Sequence, residues 1–286
     1  MGLQIITADQ RMAEKKGHKI VVCGPSGVGK TTLARTLEGN KTLFMDLEAG
    51  DAAIEGHPID VIRPTSWQEC RDLACFLGGP NQSLADDQPY SQSHYDYASS
   101  MYGDTDTDKY DTLFVDSITV AGRLCFSWCQ QQPESRSDRT GKLDSRAAYG
   151  LHGREMMAWL THLQHIREKN VIFVGILDET TDDYNRKQYS LQIEGSKTGR
   201  ELPGIVDEVI TMAVLTGEHG PYRGFVCQPL NEWGYPAKDR SGRLATLEEP
   251  HLGKLIAKMS TQMPQEGKPL EFVNPITQQS EEASNA

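Results

Sequence analysis

The chain has 286 residues, of which 37% are hydrophobic and 24% charged, a balance typical of one large globular domain. It holds no apolar run of the ~18 residues that a membrane-spanning helix needs, and residues 1–17 lack the apolar core of a secretory signal, so we expect a cytoplasmic protein. The net charge of −11 argues against nucleic-acid binding over the whole surface but leaves a local basic groove open.

Short apolar runs and helical periodicity alternate in the first half of the chain. Residues 1–17 are an extension, and we expect the folded core to span 18–255. The predicted order is strand 18–23, helix 30–39, strand 41–48, strand 59–64 and helix 66–79. Residues 80–111 break this pattern with an acidic, tyrosine-rich stretch, for which we predict a loop or insertion.

The second half continues the alternation. The predicted order is strand 110–118, helix 119–131, helix 153–170, strand 171–179 and strands 204–217 and 222–229. Residues 132–148 and 180–203 are polar breaks, and the tail 256–286 is expected to be partly disordered. Buried strands alternating with helices predict an α/β fold, with a mostly parallel twisted sheet flanked by helices.

A glycine-rich stretch, GPSGVGKTT, directly follows the first predicted strand. It fits the pattern GxxxxGK(S/T), in which backbone N–H groups surround phosphates, the lysine reaches the β and γ oxygens and the final hydroxyl ligates Mg²⁺. The stretch therefore predicts a nucleotide site with Mg²⁺ at Thr31. The residues predicted to hold the nucleotide are Gly24, Pro25, Ser26, Gly27, Val28, Gly29, Lys30, Thr31 and Thr32.

Acidic residues at the ends of two other apolar strands complete the predicted site. Asp116 ends TLFVD, and an acid in this position orders the Mg²⁺ shell in phosphate-loop NTPases. Glu48 and Asp46 lie in LFMDLEAGD, at the end of the strand after the phosphate-loop helix. A carboxylate there is well placed to orient and deprotonate water, so we predict that Glu48 is the catalytic base.

The order of these motifs resembles the RecA-like ATPase core. MDLE ends one strand, FVDS ends another, and an amphipathic helix and VIFVGILDE follow. The resemblance carries the catalytic glutamate to Glu48 and the Walker B aspartate to Asp116. In ABC and AAA+ ATPases a glutamate usually follows that aspartate directly, and the Ser117 found here argues against both classes.

More narrowly, residues 18–255 resemble phage-encoded RecA-like ATP-binding proteins that act as single-strand annealing recombinases. LPGIVDEVI and AKDRSGRL add to this likeness. It implies ATP with Mg²⁺, a location in the host cytoplasm, and a homo-oligomer that is a ring or a filament. It also implies single-stranded DNA and a single-strand DNA-binding protein as partners.

The same resemblance assigns two further roles. Lys238 and Arg240 match the KxR pair that reaches the γ-phosphate of a neighbouring subunit, and a solvent-facing basic turn is the alternative. RecA carries a glutamine sensor where this chain has Asp178 and Glu179, so the sensor role stays open.

Two polar loops, 132–150 and 180–203, would line the DNA path. Basic residues that follow phosphates, with an aromatic ring to stack a base, are typical of single-strand binding, and a solvated surface loop is the alternative. The candidate residues in the second loop are Arg186, Lys187, Tyr189, Lys197 and Arg200.

Other functions of a phosphate loop remain open. A small-molecule kinase could use 180–203 as a lid, a helicase-like ATPase would share the motifs, and bound ATP could merely hold an assembly together. A switch GTPase is disfavoured, because Leu43 stands where the NKxD motif requires aspartate.

Overall fold

The apolar runs of the sequence form the strands of one mixed sheet. The computed structural model describes residues 5–261, with the side chains of 196 and 197 excepted. The strands are β1 (Lys19–Gly24), β2 (Thr42–Asp46), β3 (Asp60–Ile62), β4 (Thr112–Asp116), β5 (Asn170–Thr181), β6 (Lys187–Leu191), β7 (Glu208–Gly217), β8 (Gly220–Val226), β9 (Lys238–Asp239) and β10 (Leu247–Glu248).

Six neighbouring strands of this sheet run parallel, which confirms the predicted α/β class. The order along the sheet is β10-β8-β7-β1-β5-β4-β2-β3, and the parallel part extends from β7 to β3. β8, β10 and two short side pairings, β6 on β5 and β9 on β7, are antiparallel. One strand, β5, separates the phosphate-loop strand β1 from β4.

Helices cover the sheet and connect its strands. The α-helices are α1 (Ala8–Ala13), α2 (Trp67–Gly78), α3 (Gln92–Tyr102), α4 (Ile118–Cys129), α5 (Ser145–Gln164), α6 (Ser196–Ile205) and α7 (Leu252–Met259). Ser66, Ser91, Ser117 and Asp144 cap four of them by accepting hydrogen bonds from backbone N–H groups in the first turn. Over residues 5–261, no helix combines the length and the apolar character needed to span a membrane.

Alternate residues of the central strands feed two separate cores, one on each face of the sheet. Val21 and Cys23 face a core built with α2, α4 and α5. Ile20 and Val22 face the other, where the Phe44 and Phe114 rings stack 5.2 Å apart. Because both faces are covered, the carboxyl ends of the parallel strands form the open edge where α/β proteins place their ligands.

The helix predicted over 30–39 is wrong in type. Short 3₁₀ helices occupy Thr31–Thr36 and Gly39–Lys41 instead. The Thr36 hydroxyl donates to the Leu33 carbonyl at 2.6 Å, so it competes with the backbone for an acceptor that an α-helix would use. Threonine also has a low helix propensity, and residues 31, 32 and 36 are all threonine.

The acidic stretch 80–111 is not only a loop, because it contains α3. The Ser91 hydroxyl accepts a hydrogen bond from the His94 N–H, and the His94 ring lies 2.8 Å from the Asp72 carboxylate of α2. The rings of Phe76 and Tyr102 pack 5.7 Å apart. Tyrosine and histidine contacts with α2 therefore hold this helix, and they give a weaker sequence pattern than an aliphatic stripe.

Other predicted boundaries shift as well. α5 begins at Ser145, within the predicted loop 132–150, because Asp144 caps it with hydrogen bonds to two N–H groups. The polar break 180–203 contains β6 and most of α6. The predicted core boundary at 255 falls inside α7, whose Leu255 and Met259 are buried. The rest of the predicted tail, 262–286, lies outside the described residues.

Candidate nucleotide site

The phosphate loop begins where β1 ends, and two of its glycines are needed for its shape. Gly27 and Gly29 have φ angles of 76° and 106°, a region that other residues rarely adopt. Gly24 is constrained in another way, because a Cβ atom there would lie 2.3 Å from the Met212 carbonyl oxygen of β7. Glycines at these positions let the loop turn tightly against β7, as a phosphate-binding loop requires.

The Lys30 ammonium lies inside this loop. Its Nζ donates hydrogen bonds to the Gly24 and Pro25 carbonyl oxygens at 2.9 and 2.8 Å. Burial lowers the pKa of Lys30, and the carboxylates of Asp116 and Glu48 act in the opposite direction. The partners of the ammonium are neutral carbonyls, so its charge is available to phosphate oxygens.

Two buried carboxylates face each other across neighbouring strands. Asp46 on β2 pairs in register with Asp116 on β4, and each has a buried Oδ2 atom without a hydrogen-bond partner among residues 5–261. Burial raises the pKa of Asp116 to about 6, helped by the charges of Glu48 and Asp46 and opposed by Thr31 and Lys30. Arg63 Nε lies 3.8 Å from Asp46 Oδ2, whereas no ion pair within residues 5–261 neutralises Asp116, so Asp116 is the carboxylate that a bound cation would stabilise.

The residues around Asp116 fit Mg²⁺. Gly50 lies beside both predicted ligands, since a Cβ there would be 3.6 Å from Thr31 Cγ2 and 3.8 Å from Asp116 Oδ2. A hydroxyl and a carboxylate are the hard oxygen ligands that Mg²⁺ prefers, and the ion usually takes its other ligands from phosphates and water. Residues 5–261 contain no cluster of three or more His, Cys, Asp or Glu side chains that could hold a metal ion.

The residue that follows Asp116 positions Glu48 beside the candidate Mg²⁺ site. The Ser117 hydroxyl donates a hydrogen bond to Glu48 Oε1 and caps α4 by accepting from the Val120 N–H at 3.4 Å. Asp46 Oδ1 accepts from the backbone N–H groups of Glu48 and Gly50 at 3.2 and 2.9 Å, which orders the turn. The Glu48 side chain is exposed, so solvent water can reach it.

Sequence reasoning missed these two positioning roles. It placed Asp46 beside Glu48 at the end of a strand and gave it no role, and the structure shows that one of its oxygens holds the turn. It used Ser117 only as an argument against the ABC and AAA+ classes of ATPase. A serine after a strand, followed by a helical period, is the usual cap signal and could have indicated the first of its two hydrogen bonds.

A comparison with family models decides the class of this site. A model described as an AAA domain matches residues 16–241, which is most of the chain and includes every residue of the site. The chain belongs to this family. It therefore carries an AAA-type phosphate-loop ATPase domain, which binds nucleotide and usually Mg²⁺. A comparison with curated proteins finds no match.

The family contradicts the argument drawn from Ser117 against AAA+ ATPases. The position after the Walker B aspartate does hold a serine. However, Glu48 reaches that serine from the neighbouring strand, as the Ser117–Glu48 hydrogen bond shows. An acid can thus stand beside Asp116 without following it in sequence, so the residue after Asp116 does not separate the classes here.

Lys238 and Arg240 lie at the opposite edge of the sheet from the phosphate loop. β9 pairs with the start of β7, and the Arg240 guanidinium pairs at 2.8 Å with Asp207, whose other oxygen accepts the Lys19 N–H. From Lys19 to Gly24 the strand rises about 16 Å. The Lys238 ammonium donates to two carbonyl oxygens at the end of α6, at 2.6 and 2.8 Å. Neither cation is therefore near the nucleotide site of its own chain.

The predicted DNA-binding residues fall into two groups. Arg186 pairs with Asp182 at 2.8 Å and Lys187 with Glu179 at 2.7 Å, so acids of the same hairpin offset both charges. Tyr189 and Arg200 instead line a cavity of about 610 Å³, together with Arg123 and Asp178. The Lys197 side chain lies outside the described residues.

Proposed function

We propose that this chain is a Mg²⁺-dependent ATP hydrolase that works as a homo-oligomer on single-stranded DNA, in recombination or replication. The observation that carries the hydrolase is the meeting of Glu48 with Ser117 and Asp116 beside the phosphate loop. Three different parts of the chain converge there, and each supplies a group that ATP hydrolysis needs.

The arrangement suits attack by water. Lys30 and the loop N–H groups hold the phosphates, and Thr31 and Asp116 hold Mg²⁺, which supplies charge stabilisation for the leaving oxygen. Glu48 takes a proton from water as the water oxygen bonds to the γ-phosphorus and the bond to ADP breaks. Because Glu48 is open to solvent, the geometry favours water over a bound acceptor and so favours a hydrolase over a small-molecule kinase.

Oligomerisation is supported by the position of Arg240. Its side chain is half exposed and stands at the sheet edge farthest from its own phosphate loop. An arginine there can approach a phosphate only in a neighbouring copy, where it would stabilise the charge that develops during hydrolysis. Lys238 is held by carbonyl oxygens, so we assign the action on the neighbour to Arg240 and a positioning role to Lys238.

Mixing two inactive variants tests this arrangement. Glu48→Gln removes the base and Arg240→Ala removes the residue offered to the neighbour, so we expect each alone to have little ATPase activity. In a random mixture, about one interface in four pairs an intact Glu48 with an intact Arg240. Phosphate release should therefore recover to about a quarter of the wild-type rate on mixing. A mixture no more active than its components would contradict action in trans.

The cavity beside β6 supports single-stranded DNA as the partner. Tyr189, whose ring packs 4.7 Å from that of Tyr235, offers a surface on which a base can stack, and Arg123 and Arg200 offer cations for phosphates in the same cavity. The likeness to annealing recombinases supports strand annealing as the reaction, with a single-strand DNA-binding protein as a further partner.

Binding of an oligonucleotide to the wild type and to an Arg123→Ala/Arg200→Ala variant tests the DNA site. We expect the variant to bind a fluorescent single-stranded oligonucleotide at least tenfold more weakly and to lose stimulation of ATP turnover. The slope of log affinity against log salt should also become about one to two units shallower, since each lost phosphate contact removes about 0.7. Replacing Arg11, exposed on α1, is the control. Equal DNA affinity in variant and wild type would contradict this site.

A further inference from the structure

The strands β7 and β8 continue beyond the phosphate loop as a two-stranded arm, residues 213–223. Met212 lies beside Gly24, since a Cβ on Gly24 would touch the Met212 carbonyl oxygen. β7 then runs on to Gly217 before the chain turns into β8. Five residues of strand reach about 16 Å, which is longer than a nucleoside.

The two faces of this arm differ. On one face Leu215 is buried in a small core with Trp233 and Tyr235. On the other, Val214 pairs with Arg223 across the arm, and this face turns towards the loop. A Cβ placed on Gly29 would lie 3.6 Å from Met212 Cε and 3.9 Å from the Arg223 guanidinium carbon.

Arg223 and Val214 leave this face open for a ligand. Arg223 is exposed, and within residues 5–261 its side chain has neither an ion pair nor a hydrogen bond. It contrasts with Arg240 and Arg63, which both pair with carboxylates. Val214 is 57% exposed, although it stands on a strand whose next residue is fully packed.

The positions of the acids determine the direction of the bound nucleotide. Asp116 and Glu48 lie on the side of β1 that holds β5, β4 and β2, so the metal and the γ-phosphate belong there. β7 and β8 lie on the other side of β1. A phosphate chain that passes through the loop towards Asp116 therefore leaves its nucleoside over the arm.

We propose that the arm binds the nucleoside end of the nucleotide. Arg223 contacts the phosphate next to the ribose, and Val214 with Pro221 covers one apolar face of the sugar and base. This inference rests on the proposed function, because it assumes that the phosphate loop holds a nucleotide.

Calorimetric titration with ADP, with no Mg²⁺ and no turnover, tests the arm. Loss of a charged hydrogen bond to phosphate should make Arg223→Ala bind ADP at least about tenfold more weakly, while Arg223→Lys retains part of the affinity. Val214→Ser should weaken ADP binding about fivefold and leave inorganic tripolyphosphate unaffected, since tripolyphosphate has no apolar face. Arg11→Ala, exposed on α1, is the control for a lost cation.

The outcomes separate the two proposals. If wild type fails to bind ADP, or binds it no better than Lys30→Ala, the proposed function is overturned. If ADP binding is lost in Lys30→Ala but unchanged in Arg223→Ala and Val214→Ser, the proposal that the arm binds the nucleoside is overturned and the nucleotide site stands. If Val214→Ser weakens tripolyphosphate as much as ADP, the arm does not hold the nucleoside. Thermal melting of each variant shows that the fold is kept.

Discussion

Replacing Glu48 by glutamine is expected to lower ATP turnover about 10²–10³-fold while ADP affinity changes by less than about twofold. Glutamine keeps the acceptor for the Ser117 hydroxyl but cannot take a proton from water. The measurement is steady-state phosphate release at saturating ATP, with ADP affinity measured by titration on the same preparation.

Two further variants accompany Glu48→Gln, one as a control and one as a test of how Glu48 is positioned. Glu55→Gln makes the same chemical change at an exposed residue soon after Glu48 in the chain and should leave turnover unchanged. Ser117→Ala removes the hydrogen bond that positions Glu48, so turnover should fall by about tenfold. A Glu48→Gln protein that hydrolyses ATP at the wild-type rate would show that Glu48 is not the base.

Replacing Asp116 by asparagine is expected to stabilise the free protein and to weaken its response to Mg²⁺. Burial raises the pKa of Asp116 from 3.8 to about 6, so its ionised form costs the fold up to about 3 kcal/mol at pH 7.5. Asparagine has no charge to bury. Urea unfolding at pH 7.5 without nucleotide should therefore show a more stable variant, and the exposed Asp87→Asn should show no change.

The difference in unfolding free energy between the wild type and Asp116→Asn should change with pH in one direction. The folded-state pKa lies above the unfolded value, so the folded protein binds the extra proton between about pH 6 and 4. The wild type should gain stability relative to Asp116→Asn as the pH falls through this range, until the two converge. Adding Mg²⁺ to the ADP complex should stabilise the wild type further at pH 7.5 and the variant much less, because a charged carboxylate ligates Mg²⁺ more strongly than a neutral amide. A variant less stable than the wild type at pH 7.5 would contradict the conclusion that ionised Asp116 destabilises the free protein.

The sheet and the centre of the site could be predicted because their signals are local. Each central strand is a continuous apolar run. β1 ends where the phosphate loop begins, and β2 and β4 end at the acidic residues Asp46 and Asp116. In a parallel sheet these ends must meet at one edge, so Lys30, Glu48 and Asp116 could be grouped before their positions were known.

The elements that were missed depend on contacts between distant residues. α3 is held by ring and imidazole contacts with α2, and the Thr31–Thr36 segment is 3₁₀ partly because a side chain takes a backbone acceptor. Arg223 stands almost two hundred residues after the phosphate loop and follows no motif. Only the pairing of β7 with β1 and β8 brings it to Gly29. Such placement by topology leaves no mark in a single sequence.

The separation of Arg240 from the phosphate loop gives any assembly a direction. On the proposal that Arg240 acts on a neighbour, each copy presents a nucleotide site at one sheet edge and an arginine at the other, so active copies would join head to tail and not face to face. An open chain of n copies then has n − 1 completed sites, because the copy at one end has no neighbour, whereas a closed ring completes all of them. ATP turnover per copy should consequently rise with protein concentration and reach a plateau, and DNA that nucleates assembly should bring that plateau to lower concentration.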